Sequence, residues 1–307
     1  MSFSRNFAVV YVSMAVLIQR SIGRLLSGGK KNTNIKVKLL PDYFARKYLP
    51  AIKHLAQKEI TVETPETIWQ FWDNPAGQVT PEIVKASIKS VENFKNNFNH
   101  QILNISTIEN YSDLPGFVFD RLKKKQMRFA HFADLLRLNL LKNHGGMWMD
   151  TTLYMTNFVP EYIIEQDFFV FLTDKLTHFP YSFMQNFFIR AKKGSFLCEA
   201  WYQICLEYWK NETRRIEYFQ HQLMFKALIE KNPLAKKLFA EMPHISEDET
   251  LQFVGNHLFE KFDANEWERI KNTSFFQKTT YRVSKNKIAN VADYPETYFS
   301  KLCDGNL

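Results

Sequence analysis

Apolar and polar positions fall into blocks whose period changes along the chain. Residues 68–72 (IWQFW) form a short β-rich run, closed by the loop residues Asp73, Asn74, Pro75 and Gly77. Thr80-Pro81-Glu82 supplies an N-cap, a first-turn proline and an early acid, and Ile83, Val84, Ile88 and Val91 then mark one apolar helical face. Residues 100–105 predict the next strand and residues 110–115 a turn-rich connector. Residues 129–143 carry a helix, Gly145-Gly146 stops it, and residues 147–154 return to strand. Residues 168–172 and 186–191 predict further strands, and residues 195–210 and 215–230 further helices. Alternation of this kind, without an internal repeat, predicts an α/β domain around a doubly wound sheet.

The N-terminal segment follows a different pattern. Residues 7–18 (FAVVYVSMAVLI) are apolar, but spanning a bilayer takes about 20 such residues. Continued as a helix through Leu26, the run puts Asn6, Ser13 and Arg20 on one polar stripe beside Arg24. That pattern suits a helix lying at an interface or docked on its own domain. No small-x-small cleavage site follows cleanly, which argues against a signal peptide. Residues 28–34 (GGKKNTN) read as a linker and residues 39–57 as a second basic helix with Pro41 near its start. The expected organisation is a basic helical segment over residues 1–60 and a body over residues 61–307.

Charge sharpens that division. Residues 1–58 hold eleven Lys or Arg against the single acid Asp42, a local +10, so the net +8 of the chain leaves −2 for the remainder. A basic segment ahead of a nearly neutral body predicts attraction to an anionic membrane surface. Nucleic acid is not an expected partner, because no basic module interleaved with aromatics occurs. Cys198, Cys205 and Cys303 are odd in number and form no CxxC pair, so neither a zinc site nor a disulfide framework is supported. The expected location is the cytoplasm, peripheral on the inner face of the cell membrane.

The chemistry concentrates in residues 131–152, HFADLLRLNLLKNHGGMWMDTT. Asp134 and Arg137 lie three apart and share a helix face, beside an apolar surface of Phe132, Leu135, Leu136, Leu138 and Leu141. From spacing alone they form an intrahelical ion pair or grip a ligand's hydroxyls. Asp150 closes the strand that follows, among Trp148, Met149, Thr151 and Thr152. Ligands of open α/β sheets bind at the carboxyl ends of strands, where an acid can hold ribose hydroxyls or a metal on a diphosphate.

In these segments the chain resembles the bacterial capsular polysaccharide synthesis glycosyltransferases, related to family 32 glycosyltransferases and more distantly to the clostridial glucosylating toxins. The segments that carry the resemblance are IWQFW, ENYSDLP, FADLLRLNLLKNHGGMWMDTT, NFFIRAKKGSFL, IEYFQHQLMF and FQKTTYR, across about residues 65 to 283. The resemblance implies a GT-A fold, Rossmann-like and nucleotide-sugar-binding, with helical N- and C-terminal additions. It also implies a UDP-sugar donor and a retaining transfer to a surface glycan or lipid-linked glycan acceptor. Under it, Trp69 and Trp72 are candidates either to stack on uracil or to pack as core aromatics, while Asp134 is expected to accept from sugar hydroxyls and Arg137 to donate to sugar or diphosphate. Asp150, beside Trp148, is the first acid of a DxD-like motif; His221 falls in a segment that the family places close to the donor, although a lone helical His is more often structural. Lys192 and Lys193 are read as a solvated face rather than a phosphate site.

One position departs from the commonest pattern. Thr152 stands where many relatives carry the aspartate that binds manganese. The resemblance still implies a divalent ion, Mn or Mg, at Asp150 and Thr152. The alternative reading is a catalytically weakened carbohydrate- or nucleotide-sugar-binding protein of the same fold, with Thr152 as the symptom.

Overall fold

The computed structural model describes residues 34–74, 78–173, 183–284 and 287–305. The apolar run at 7–18 and the linker at 28–33 lie outside them. In chain order the body contains α1 (Asn34–Tyr48), β1 (Thr67–Phe71), α2 (Glu82–Phe94), β2 (Asn99–Leu103), α3 (Gly116–Lys123), α4 (Phe129–His144) and β3 (Gly146–Met149). Then come β4 (Leu153–Met155), α5 (Glu161–Ile164), β5 (Phe168–Leu172), β6 (Met184–Ala191), α6 (Phe196–Asn211), α7 (Gln220–Lys231) and α8 (Pro233–Glu241). The C-terminal part adds α9 (Ala264–Thr273), β7 (Phe276–Lys278), β8 (Arg282–Ser284), β9 (Lys287–Ile288) and α10 (Tyr298–Asp304).

The central sheet has the order β2-β1-β3-β6-β5. Strands β2, β1 and β3 are parallel, whereas β6 runs antiparallel to both β3 and β5. The mixed α/β architecture agrees with the alternation read from the sequence. Strand β3 is buried at every position, as expected of a central strand covered on both faces. The topology also decides where a site can form. The carboxyl ends of β1 and β3 meet the amino end of the reversed β6, so Trp72, Asp150 and Asn186 arrive at one edge.

The double glycine makes this edge possible. Gly145 and Gly146 have φ of 70° and 98°, and a Cβ on Gly146 would stand 2.1 Å from the carbonyl oxygen of Thr67. Helix α4 can therefore turn into β3 against β1 only with glycine at that step.

Part of the segment expected to stand apart belongs to the main core. Leu40, Phe44 and Tyr48, spaced four apart on α1, are buried together with Ile52 in the core that holds the sheet. Tyr48 packs edge-on to Tyr208 of α6 at 5.4 Å, and its hydroxyl donates to Glu212 at 3.0 Å. Pro41 lies inside α1 rather than near its start, because the helix begins at Asn34.

The other end of the chain forms a smaller second core. Ile83 and Val84 of α2 pack with Phe253, Trp267, Ile270, Tyr298, Phe299 and Leu302. Among the described residues, no helix is long and apolar enough to cross a membrane.

Candidate active site

A cavity of about 720 Å³ opens at the edge where β1, β3 and β6 converge. Its wall includes Trp72, Asp134, Arg137, Trp148, Asp150 and Thr152, all anticipated from the sequence. Helix α4 presents Asp134 and Arg137, while Asp150 leaves β3 with its amide donating to the Phe187 carbonyl of β6 at 2.8 Å.

Arg137 is buried and bound on several sides. Its Nε donates to the Ala133 carbonyl at 3.2 Å and its Nη1 to the carbonyl of Asn186. Nη2 stands 3.4 Å from Asp134 and 3.7 Å from Asp150, and the guanidinium lies over the Trp148 ring at 5.0 Å. Trp148 in turn donates from Nε1 to Oδ1 of Asp150 at 2.9 Å. Trp148 thus orients both a cation and an acid, a positioning role beyond core packing.

Asn186, to which the sequence reading gave no role, is the hub of the back wall. Its side-chain amide donates to Oδ1 of Asp134 at 2.9 Å and to Nδ1 of His221 at 3.0 Å. His221 is buried, stacks on Trp201 at 4.1 Å and is not among the residues lining the cavity. It sits behind Asp134 and helps fix it.

Electrostatics separate these two groups. Burial alone would raise the Asp134 carboxyl, but the nearby charges of His221 and Arg137 and the hydrogen bond from His131 hold it down at about 2. Burial pushes His221 down to about 3, and the opposing pull of Asp134 recovers only part of that. His221 is therefore neutral at neutral pH, consistent with Nδ1 accepting from Asn186. The standing charge that keeps Asp134 ionised there is Arg137.

The two strand tryptophans part company. Trp72 lies just past β1, lines the cavity and meets Tyr281 edge-on at 5.3 Å. Its Nε1 donates to Asn74 at 2.7 Å, and Asn74 donates to the hydroxyl of Thr80 at 2.7 Å. Thr80 thus anchors this loop instead of capping α2, which begins at Glu82 after Pro81. Trp69 is a correction to the sequence expectation. It is 2% exposed in mid-strand, donates from Nε1 to the Gly145 carbonyl at 2.9 Å and packs on Tyr111 and His144. A residue so enclosed cannot stack on a base.

Lys192 and Lys193 sit past the far end of β6, paired with Asp167 at 3.0 Å and Glu63 at 2.8 Å. Both are structural surface contacts, as the sequence suggested.

Lys278 was not singled out by the sequence reading, although it lies within the FQKTTYR segment. From β7 its ammonium donates to Oδ2 of Asp150 at 3.1 Å and to Oγ1 of Thr152 at 2.6 Å. This changes the fit of a divalent ion, which prefers several hard oxygen ligands. Asp150 is the only carboxylate of the DxD-like turn, and both its remaining partner Thr152 and its own Oδ2 already face an ammonium. Among the described residues no group of three or more His, Cys, Asp or Glu is arranged to hold a metal. The expectation of an ion at Asp150 and Thr152 is therefore poorly matched by the residues present.

A second hollow of about 490 Å³ adjoins the first, with His131 lining both. Lys124, Lys125, Arg128, Arg214 and Arg215 line it, and no acid is found among its described lining residues.

Residues 27–302 match the family described as capsular polysaccharide synthesis protein. The chain belongs to that family. It is also 24% identical over 207 residues to the O-glycosyltransferase braB of Annulohypoxylon truncatum, covering 61% of this chain and 48% of the relative. The chain thus spans about half the length of that curated relative. The solved PaToxG glycosyltransferase aligns with a TM-score of 0.38 at 15% identity, over 67% of this chain and 82% of that one.

Proposed function

We propose that the chain is a glycosyltransferase that moves a sugar from a UDP-sugar to a hydroxyl of a glycan or lipid-linked glycan acceptor, with retention, on a GT-A type nucleotide-sugar domain. The observation that carries this reading is the convergence of Asp134, Arg137 and Asp150, from a helix and a strand end, on one cavity with Trp72 and Tyr281 beside it. The volume of about 720 Å³ is within the usual range for a small-molecule site.

In this reading Trp72 supplies the aromatic surface for uracil, and Asp150 holds ribose or sugar hydroxyls. Asp134, ionised and fixed by Asn186, accepts from the donor sugar, and Arg137 donates to sugar or diphosphate. The bond between the anomeric carbon and the β-phosphate oxygen breaks with its electron pair on that oxygen. An acceptor hydroxyl oxygen bonds the anomeric carbon from the same face and passes its proton to the departing phosphate oxygen. The hollow of five cations next to the cavity favours an acceptor that carries negative charge, such as a phosphate-linked or acidic glycan.

The test is a thermal-shift panel of UDP-, GDP- and CDP-sugars, followed by donor hydrolysis across the UDP-sugars that bind. Stabilisation by UDP-sugars with measurable hydrolysis is expected. Stabilisation without any hydrolysis or transfer would instead support a binding protein, and no response to any nucleotide sugar would overturn the reading.

A further inference from the structure

We propose that the Lys278 ammonium replaces the divalent ion of the DxD pattern, so that the donor diphosphate is held, and its departure assisted, without a metal. This rests on the nucleotide-sugar reading of the same cavity.

Placement is the first argument. Strand β7 pairs antiparallel with β4, and the register sets Lys278 opposite Leu153, the residue after the Asp150–Thr152 turn. The turn itself is pinned, because Leu153 donates to the Asp150 carbonyl at 2.9 Å, and the amide and hydroxyl of Thr279 donate to the Thr152 carbonyl at 2.8 Å and 2.9 Å. Lys278 therefore extends from a fixed backbone rather than a free loop. Its Nζ lies over the Phe187 ring at 5.4 Å and lines the cavity. Contacts with Asp150, Thr152 and the ring face hold the cation at the cavity wall, with its side chain 24% exposed.

Charge is the second argument. Two aspartates around a divalent ion sum to zero. One aspartate, a neutral threonine and one ammonium also sum to zero. Replacing the second acid by Thr152 thus matches replacing a doubly charged ion by a singly charged one, and the net charge of the turn is conserved. A divalent ion added at Asp150 would instead stand beside an ammonium bound to the same oxygens, where like charges repel.

An ammonium at this position is also chemically competent. When the bond from the anomeric carbon to the β-phosphate oxygen breaks, negative charge grows on that oxygen. An ammonium aimed there stabilises it through charge-assisted N–H donation and gives up no proton.

The experiment uses the full chain and measures UDP affinity by calorimetry and UDP-sugar hydrolysis, each with excess EDTA and with manganese. For the wild type, EDTA should change affinity and turnover by no more than about twofold, the scatter expected when no ion takes part. Lys278→Met should weaken UDP by about tenfold and lower turnover by about a hundredfold or more, as loss of a charge-assisted donor to a leaving phosphate predicts. Lys278→Arg, which keeps the charge, should retain more turnover than Lys278→Met. If UDP binds and UDP-sugar is hydrolysed only with manganese, or if Lys278→Met behaves as wild type, the assignment of Lys278 is wrong while the nucleotide-sugar reading survives. If Lys278→Met does not fold, the EDTA arm on the wild type still decides. Failure of UDP to bind under any condition would remove both.

Discussion

Oδ1 of Asp134 and Nη2 of Arg137 stand 3.4 Å apart, although the two residues share one turn of α4. Each makes a closer bond elsewhere: Asp134 to the Asn186 amide at 2.9 Å, and Arg137 to the Ala133 carbonyl at 3.2 Å. A simple helix staple would bring them together first. Here both are instead braced separately, facing a common cavity.

That bracing predicts a kinetic signature for Asp134→Asn and Arg137→Lys. Both keep approximate shape while removing charge or fork geometry. Catalytic efficiency should fall by about a hundredfold or more, because a misoriented anomeric carbon adds several kcal/mol of barrier. Affinity for free UDP should stay nearly constant, since in the proposed reading base and ribose rest on Trp72 and Asp150. Steady-state kinetics beside UDP calorimetry decide the matter: loss of UDP affinity in step with turnover would move both residues from the sugar to the nucleotide.

That Asp134, Arg137 and Asp150 fall together was legible in the sequence, because each belongs to a local pattern, a shared helix face or the end of a strand after a double glycine, and the family resemblance joined the patterns. Asn186 and Lys278 were not, for a geometric reason. Their bonds to Asp134 and Asp150 span 52 and 128 residues, and only the pairing of β6 with β3 and of β7 with β4 closes those distances. Trp69 and Trp72 read alike within IWQFW, since what separates them is whether the strand has ended. Residues 147–154 read as one strand, yet Asp150, Thr151 and Thr152 form the turn between β3 and β4 that Lys278 grips. The fold class was legible throughout, whereas the short α9, with only Trp267 and Ile270 buried, was not read from the sequence.

The sheet's amino edge supplies a stability prediction. Arg190, 1% exposed, donates to both oxygens of Glu66, at 2.5 Å and 2.9 Å, and also to the carbonyls of Gly146 and Ile164. The pair ties the start of β1 to β3 and β6. Glu66→Ala would leave a buried guanidinium without its carboxylate and should cost about 3–5 kcal/mol. Urea unfolding gives the value, and a loss under about 1 kcal/mol would place the pair with ordinary surface bridges.

Truncation tests the basic N-terminal segment. The burial of Leu40, Phe44 and Tyr48 means that a cut must stop before Asn34, since a longer deletion removes core. Residues 1–33 carry Arg5, Arg20, Arg24, Lys30 and Lys31 and no acid. A chain beginning at Asn34 should melt close to the full chain and bind UDP equally well, yet lose sedimentation with anionic vesicles. Vesicle binding unchanged by the deletion would refute membrane attachment through this segment.

The buried His221 makes stability fall on acidification in a definite window. Its folded value is about 3 against an ordinary 6.5, the cause being burial first, opposed by Asp134. Above pH 6.5 the imidazole is neutral in folded and unfolded chains alike, so its contribution is complete. As pH falls from 6.5 towards 3, the unfolded chain takes up a proton that the folded chain refuses, and stability is lost across that interval. Asp134 adds a separate loss lower down, between its ordinary 3.8 and about 2. His221→Asn puts an amide oxygen near the position of Nδ1, able to accept from Asn186, but cannot take the proton. The variant loses the stacking on Trp201, so its absolute stability should be lower; the informative quantity is the slope. Urea midpoints measured from pH 7 to pH 4 should fall more steeply for the wild type than for His221→Asn. Parallel curves would mean that His221 accepts a proton in the folded chain as readily as in the unfolded one, and that its hydrogen bond from Asn186 does not hold it neutral.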